Sequence, residues 1–172
     1  MRIVAGRWRG RRIDAPPSDA VRPTADRVRE AWLSIVQHDI PDARALDLFA
    51  GSGALGIEAL SRGAASVHFV EKANASLVAL RKNLETLGAG SAATVHHGDA
   101  IAFIARLGAG SYDLAFADPP YRLGVAAAVA QHWLAAPFAT VLGIEHAAGD
   151  AMPPGGDLRR YGMTAITFYR RA

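Results

Sequence analysis

Short apolar runs alternate with longer amphipathic segments along most of this chain, beginning at Arg44. The apolar runs have the length of buried strands, and the segments between them repeat apolar residues with a helical period. The pattern predicts strands over residues 45–50, 66–71, 93–96, 112–117 and 140–145, and helices over 54–62, 75–87, 100–107 and 125–134. This order predicts an α/β fold with a mainly parallel, doubly wound sheet.

The C-terminal segment departs from this alternation. Residues 158–161 and 163–170 have the pattern of two strands around Gly162, and they follow the Gly/Pro-rich loop 147–156 without an intervening helix. Two strands joined by a short turn pair antiparallel, so we expect a hairpin at one edge of the sheet.

The N-terminal segment precedes the regular pattern. Residues 2–5 and 11–13 predict a small β-hairpin, and Thr24 is a candidate N-cap for a helix that ends near residue 38. We therefore expect residues 1–40 to be an appendage that does not fold alone, and residues 41–172 to form the core.

Composition narrows the class of protein. A chain of 172 residues with 51% apolar and 20% charged residues fits one globular domain. Its apolar runs are too short to span a membrane, so we expect a soluble, cytoplasmic protein. The absence of cysteine excludes disulfides, thiolate metal sites and a cysteine nucleophile. The six histidines are scattered, so no metal site is expected.

Positive charge is concentrated near the N-terminus, although the net charge is only +3. Trp8 lies among glycines and four nearby arginines, which are Arg7, Arg9, Arg11 and Arg12. An aromatic ring among arginines is typical of a surface that binds nucleic acid, whereas the simpler interpretation is a solvated charged face. We expect this segment to contact nucleic acid.

A glycine turn links the first core strand to the helix that follows it. Gly51 and Gly53 let the backbone approach a ligand, and the helix N-terminus offers unpaired N–H groups. Glu71 ends the next strand and can accept hydrogen bonds from ribose hydroxyls. The alternative is a tight turn alone. Asp47 lies before the turn, where a carboxylate suits a cationic ligand such as S-adenosylmethionine better than a pyrophosphate.

Asp99 follows the third core strand at the same edge of the sheet. Its carboxylate can accept a hydrogen bond from an adenine amino group, and it can also cap the helix that begins at Ala100. The cap alone would account for this residue.

The Asp118-Pro119-Pro120-Tyr121 turn follows a buried strand and is rich in hydrogen-bond acceptors. Neither proline has an N–H, so the turn offers carbonyls and one carboxylate beside an aromatic ring. A planar amine, such as the exocyclic amino group of a nucleobase, complements this set. A simple Pro-rich turn is the alternative.

These segments together resemble the RsmD family of bacterial small-subunit ribosomal RNA guanine-N2 methyltransferases. The resemblance is carried by residues 2–6 (RIVAG), 10–13 (GRRI), 22–24 (RPT) with Arg27, Arg29 and Glu30, 47–64 (DLFAGSGALGIEALSRGA) and 118–121 (DPPY). It implies a Rossmann-like methyltransferase fold, S-adenosylmethionine as cofactor, and 16S ribosomal RNA or an assembling small subunit as the partner of a monomer. Which guanine is modified rests on the resemblance alone.

The resemblance also assigns residues to roles. The catalytic set is Asp118, Pro119 and Tyr121. The cofactor would be bound by Asp47, Phe49, Gly51, Ser52, Gly53, Glu71, Lys72, Asp99, Ala100 and Thr24. The RNA would be bound by Arg7, Trp8, Arg9, Arg11, Arg12, Arg22 and Arg27.

Guanine N2 is a poor nucleophile because its lone pair is delocalised into the ring. Our hypothesis is that Asp118 and the Pro119 carbonyl orient the amine while Tyr121 stacks on the extruded base. Two other readings stay open. An amino-methyltransferase of the same fold could act on another RNA, DNA adenine or protein glutamine, and a protein with a vestigial site could assist assembly without catalysis.

Overall fold

A computed structural model describes residues 1–15, 23–122 and 124–172 of the chain. The helices are α1 (Pro23–Ile35), α2 (Ala54–Ser61), α3 (Asn74–Leu87), α4 (Ala100–Ile104) and α5 (Val125–Ala135), with a short 3-10 helix over Gly90–Ala92. The strands are β1 (Arg44–Leu48), β2 (Ser66–Glu71), β3 (Ala93–His97), β4 (Tyr112–Ala117), β5 (Ala139–Ala147), β6 (Asp157–Tyr161) and β7 (Thr164–Arg170).

The strands form one sheet in the order β3-β2-β1-β4-β5-β7-β6. Strands β1 to β5 are parallel to their neighbours, whereas β7 runs antiparallel to both β5 and β6. The predicted α/β class and the C-terminal antiparallel edge hairpin are therefore confirmed. The strand order reverses between β1 and β4, and ligands of open parallel sheets bind at such a switch point.

Helices cover both faces of the sheet. Helices α1, α2 and α3 pack on one face, where Trp32 meets Phe116 with ring centroids 5.7 Å apart. Helices α4 and α5 pack on the other face, where Trp133 is buried beside Tyr169. Both faces are covered, which explains why the central strands are near-continuous apolar runs rather than alternating ones.

Several boundaries differ from the predicted ones. Helix α1 begins at Pro23, so Thr24 is inside the helix rather than its N-cap, and proline is favoured at a first helical position. Helix α4 ends at Ile104, because the following residues change to a 3-10 turn in which the Leu107 N–H bonds to the Ile104 carbonyl, three residues earlier. Strand β5 extends to Ala147 because β7 pairs with it beyond the end of β4.

The N-terminal hairpin is smaller than predicted. It holds one antiparallel bridge, between Arg2 and Arg12, instead of two strands. Its position is fixed by α2: the Glu58 carboxylate accepts the Val4 N–H at 2.8 Å, and the Ser61 hydroxyl contacts the Ala5 carbonyl at 2.6 Å. Gly6 has a φ of 86°, and a side chain there would clash with the Ser61 backbone. The hairpin is therefore tightly docked on α2.

No helix in the described part of the chain combines the length and apolar character needed to cross a membrane.

Candidate active site

The turn between β1 and α2 adopts a conformation that its sequence explains. Phe49, Gly51 and Gly53 all have positive φ angles, of 58°, 58° and 89°. A Cβ added at Gly51 would find no atom within 4 Å, whereas one at Gly53 would clash with Leu80. Gly53 thus allows close packing on α3, and Gly51 leaves open space beside the turn. Asn83 of α3 supports the turn by donating to the Ser52 carbonyl at 3.0 Å.

Asp47 lies beneath this turn and not on its surface. Its side chain is 1% exposed, and its carboxylate accepts the Gly56 N–H at 2.9 Å. Burial raises the pKa of Asp47 to about 8, and the nearby Glu71 charge adds to this effect, while the Gly56 hydrogen bond opposes it. The expectation that Asp47 faces a cationic ligand directly is corrected: the residue shapes the turn, because its carboxylate is committed to the backbone of α2.

Glu71 lies at the end of β2, next to the glycine turn. Its two carboxylate oxygens accept the Gly51 N–H and the Ala73 N–H, each at 3.3 Å. The hydrogen bonds place an acidic group at the C-terminal edge of the sheet, beside the turn, as the spacing predicted.

Asp99 and Lys72 lie at the same edge, after β3 and β2. The Asp99 carboxylate accepts the Ala102 N–H at 2.9 Å, so the predicted cap of α4 is confirmed. Lys72 approaches Asp99 at 4.0 Å, and both side chains are largely exposed. Ala100 is buried at the start of α4. A contact from any of these three residues to adenine stays a prediction.

A cavity of about 340 Å³ opens where the glycine turn meets Asp118 and helix α1. It is lined by Phe49, Gly51 and Ser52, which were predicted to bind the cofactor, and by Asp118, which was predicted to be catalytic. Asp118 lies just past the end of β4, with its N–H 3.5 Å from the Leu48 carbonyl of β1. The candidate methyl-donor site and the candidate amine site are therefore continuous.

Other residues of this cavity were missed by the sequence analysis. Asp26 and Arg29 of α1 form an ion pair at 3.2 Å, and Arg29 also approaches the Met1 sulfur at 2.7 Å. Glu145 enters from β5. These residues lie far from the glycine turn in sequence, and their only local signal is the Asp26-to-Arg29 spacing of a helical ion pair.

Tyr121 lies outside the sheet with its ring 55% exposed. Its hydroxyl donates to a Glu145 carboxylate oxygen at 3.1 Å and lies 2.8 Å from the Thr164 hydroxyl. Partial burial is the main cause that raises the pKa of Tyr121 to about 12. Tyr121 therefore stays an uncharged phenol at neutral pH, with an exposed face and a fixed hydroxyl. Pro119, two residues earlier, is buried.

Five of the arginines assigned to RNA are exposed, but Trp8 is not. Arg7, Arg9, Arg11, Arg12 and Arg27 all reach solvent. Trp8 is 6% exposed in the hydrophobic core, and its backbone N–H donates to the Ser61 hydroxyl at 3.0 Å. The prediction that Trp8 contacts nucleic acid is wrong, because its side chain is buried in the hydrophobic core. The Arg7 guanidinium instead covers the ring, 4.2 Å from its centroid.

The roles assigned to Arg22 and Thr24 stay predictions. Arg22 lies outside the described residues, as does the side chain of Thr24, although the backbone of Thr24 is in α1. In the ranges that the structure does describe, no three acidic or histidine side chains converge as metal ligands would.

The family model for conserved hypothetical protein 95 matches residues 1–169 of this chain. The chain belongs to this family, the RsmD family. It is similar to the ribosomal RNA small subunit methyltransferase D of Escherichia coli K12, with 47% identity over 125 residues, which are 73% of this chain. The matched segment spans 62% of that relative's length.

Two solved structures share the fold of this RsmD-family chain. Escherichia coli yhhF, a candidate methyltransferase, superposes with a TM-score of 0.86 and 37% identity over 99% of this chain and 97% of its own. The 16S ribosomal RNA guanine-N2 methyltransferase RsmC of Thermus thermophilus, solved with AdoMet and guanosine, superposes with a TM-score of 0.68 and 22% identity over 91% of this chain and 45% of its own. The predicted Rossmann-like methyltransferase fold is confirmed.

Proposed function

We propose that this chain transfers a methyl group from S-adenosylmethionine to the exocyclic N2 amino group of a guanine in 16S ribosomal RNA. The name of the Escherichia coli relative supports the reaction class and the small-subunit RNA substrate. The observation that carries the proposal is the shared cavity, in which Asp118 faces the same space as the glycine turn. We further propose that the chain acts in the cytoplasm as a monomer on RNA or on an assembling subunit.

The residues beside the glycine turn fit S-adenosylmethionine. The open space at Gly51 accepts a ligand that any side chain there would exclude, and the N-terminal N–H groups of α2 point toward the turn. Glu71 would hold the ribose hydroxyls, and Asp99 would accept the adenine amino group beside Lys72 and Ala100. Phe49, Ser52 and Gly53 would complete the cradle, with Thr24 on the α1 side. When bound, S-adenosylmethionine supplies an electrophilic methyl group.

Asp118 and the Pro119 carbonyl would act on the target amine. Each accepts one N–H of the amino group, which fixes the direction of the nitrogen lone pair. Accepting these hydrogen bonds also stabilises the positive charge that develops on nitrogen in the transition state. Asp118 is exposed at the end of β4, where a base can reach it. No strong base is needed, because the N–H becomes acidic once the nitrogen carries the new methyl group.

Tyr121 would hold the extruded base. Its exposed ring can stack on a purine, a contact worth about 1–3 kcal/mol. The raised pKa of Tyr121 excludes it as a general base at neutral pH, since it stays protonated. Its role in this proposal is therefore to position the base.

The exposed arginines would bind the RNA backbone. Because the hairpin is fixed on α2 by Glu58 and Ser61, its arginines present a rigid surface. Arg12 and Arg29 line a second cavity, of about 440 Å³, and Asp26 and Arg29 line both cavities. The two cavities are therefore neighbours, and RNA bound at the hairpin would lie close to the cavity that contains Asp118.

The Asp118→Ala variant tests the catalytic role. We expect methyl transfer to fall by a factor of about 100 to 1,000, because an acceptor for the reacting amine is lost. Affinity for S-adenosylmethionine, measured by isothermal titration, should stay within about twofold of wild type. Asp157→Ala removes a carboxylate from the exposed edge strand β6 and serves as the matched control. Turnover within tenfold of wild type in Asp118→Ala would exclude this role.

A further inference from the structure

Glu145 occupies a position in the sheet that matches that of Asp118. Strands β4 and β5 are parallel, and their last pair is Ala117 with Ile144. Asp118 directly follows Ala117 of β4, and Glu145 directly follows Ile144 of β5; both line the 340 Å³ cavity. Neighbouring strands lie about 4.8 Å apart, so the two residues follow adjacent strand ends, and both side chains line the same cavity.

Both residues point to the face of the sheet that α1 covers. Phe116, two residues before Asp118, packs edge-on against Trp32 of α1. Gly143, two residues before Glu145, also lies against the Trp32 ring, where a side chain would clash. Alternate residues of a strand share a face, so Glu145 continues the row that Gly143 begins.

Among the described residues, Tyr121 donates a hydrogen bond to the Glu145 carboxylate. One of its oxygens, Oε1, accepts the hydrogen bond of Tyr121, whose hydroxyl also contacts Thr164. A carboxylate has two acceptor oxygens, so Oε2 can accept a hydrogen bond from a ligand in the cavity. Tyr121 thereby fixes the orientation of a carboxylate next to the one that is proposed to bind the reacting amine.

Guanine presents two adjacent donors on one edge, the N2 amino group and N1–H. Adenine and 2-aminopurine have an unprotonated N1, which is an acceptor. We propose that Glu145 accepts the N1–H of the target base while Asp118 accepts its N2 amino group, so that Glu145 selects guanine. A base with an unprotonated N1 would place a lone pair against the Glu145 carboxylate and leave that carboxylate without a donor. The inference rests on the proposed function, because it assumes that guanine N2 enters this cavity.

The test compares guanine with 2-aminopurine at the mapped target position of a ribosomal RNA substrate. 2-Aminopurine keeps the amino group that is methylated, but its N1 carries no hydrogen and is an acceptor. We expect wild type to prefer guanine in kcat/KM by a factor of about 100 or more, as sites that hydrogen-bond a substrate group reject analogues lacking it. In Glu145→Gln the amide can donate to an unprotonated N1, so the preference should fall below about tenfold.

Two matched variants separate direct recognition from an effect through Tyr121. Tyr121→Phe keeps the stacking ring and removes only the hydroxyl, so the guanine preference should fall less than in Glu145→Gln. Asp157→Asn makes the same change of charge outside the cavity and should leave the preference unchanged.

Three results would overturn the role of Glu145 in selecting guanine. They are equal kcat/KM of wild type for 2-aminopurine and guanine, an unchanged guanine preference in Glu145→Gln, and a loss of preference in Tyr121→Phe as large as that in Glu145→Gln. These results all require a wild-type protein that methylates the guanine substrate. Absence of that methylation would instead contradict the proposed function.

Discussion

Replacing Asp47 with Asn should flatten the pH dependence of stability. The Asp47 carboxyl is buried and has a pKa of about 8 in the folded protein, compared with 3.8 when it is exposed. Between these values the folded state keeps a proton that the unfolded state has released. Stability therefore decreases as pH rises from about 4 to about 8, with a slope of up to about 1.4 kcal/mol per pH unit.

The magnitude follows from the width of this window. A window of about four pH units corresponds to a loss of up to about 6 kcal/mol in the free energy of unfolding. Asn stays neutral at every pH, and its side-chain oxygen can still accept the Gly56 N–H that Asp47 binds at 2.9 Å. Asp47→Asn should therefore resemble wild type near pH 4 and exceed it by several kcal/mol at pH 9.

Urea unfolding, followed by tryptophan fluorescence between pH 4 and pH 9, measures the difference between the two proteins. Other titrating groups contribute equally to both proteins, so their effects cancel in this difference. Two parallel stability curves would refute the reasoning, as would a wild-type protein that gains stability relative to Asp47→Asn when pH rises.

Two further predictions concern the N-terminal hairpin. Ser61→Ala should lower the free energy of unfolding, measured with urea, by about 1–3 kcal/mol, because the buried backbone N–H of Trp8 loses its hydrogen-bond partner. A loss below about 0.5 kcal/mol would show that Ser61 does not help to hold the hairpin on α2. The double change Arg9→Glu and Arg12→Glu should weaken RNA binding and reduce the salt slope by at least about 1.4, while S-adenosylmethionine affinity stays unchanged. The matched control reverses two exposed arginines on β6, Arg159→Glu with Arg160→Glu, and the same salt slope in both double variants would place the RNA elsewhere.

The local pattern of apolar and polar residues was sufficient to predict most strands of the sheet. The bounds of β2 and β4 agree with their prediction, because each is a buried run with a sharp polar boundary. The glycine turn and the Asp99 cap were also predictable, since both depend on residues within a few positions of one another.

The rest depends on contacts between distant segments. The sequence neighbours of Trp8 predicted a contact with RNA. Ser61 of α2, 53 residues away, instead accepts the backbone N–H of Trp8, and the Trp8 side chain is buried in the core. Asp47 was assigned to a ligand by its place before the turn, and only the fold reveals that Gly56 takes its carboxylate. Glu145 reaches the cavity from β5, and no local motif marks it. Arg29 belongs to the segment that resembles the family, but only the fold shows that it lines the cavity.

Methyl transfer to guanine N2 in the cavity shared by Asp118 and the glycine turn can be measured on small ribosomal subunits that lack the modification. The subunits are incubated with the protein and labelled S-adenosylmethionine, and the RNA is then analysed by mass spectrometry. We expect one methyl group on N2 of a single guanine in the wild-type reaction, and none in the Asp118→Ala reaction. Methylation at another atom, or none from a wild-type protein that binds S-adenosylmethionine, would contradict the proposed function.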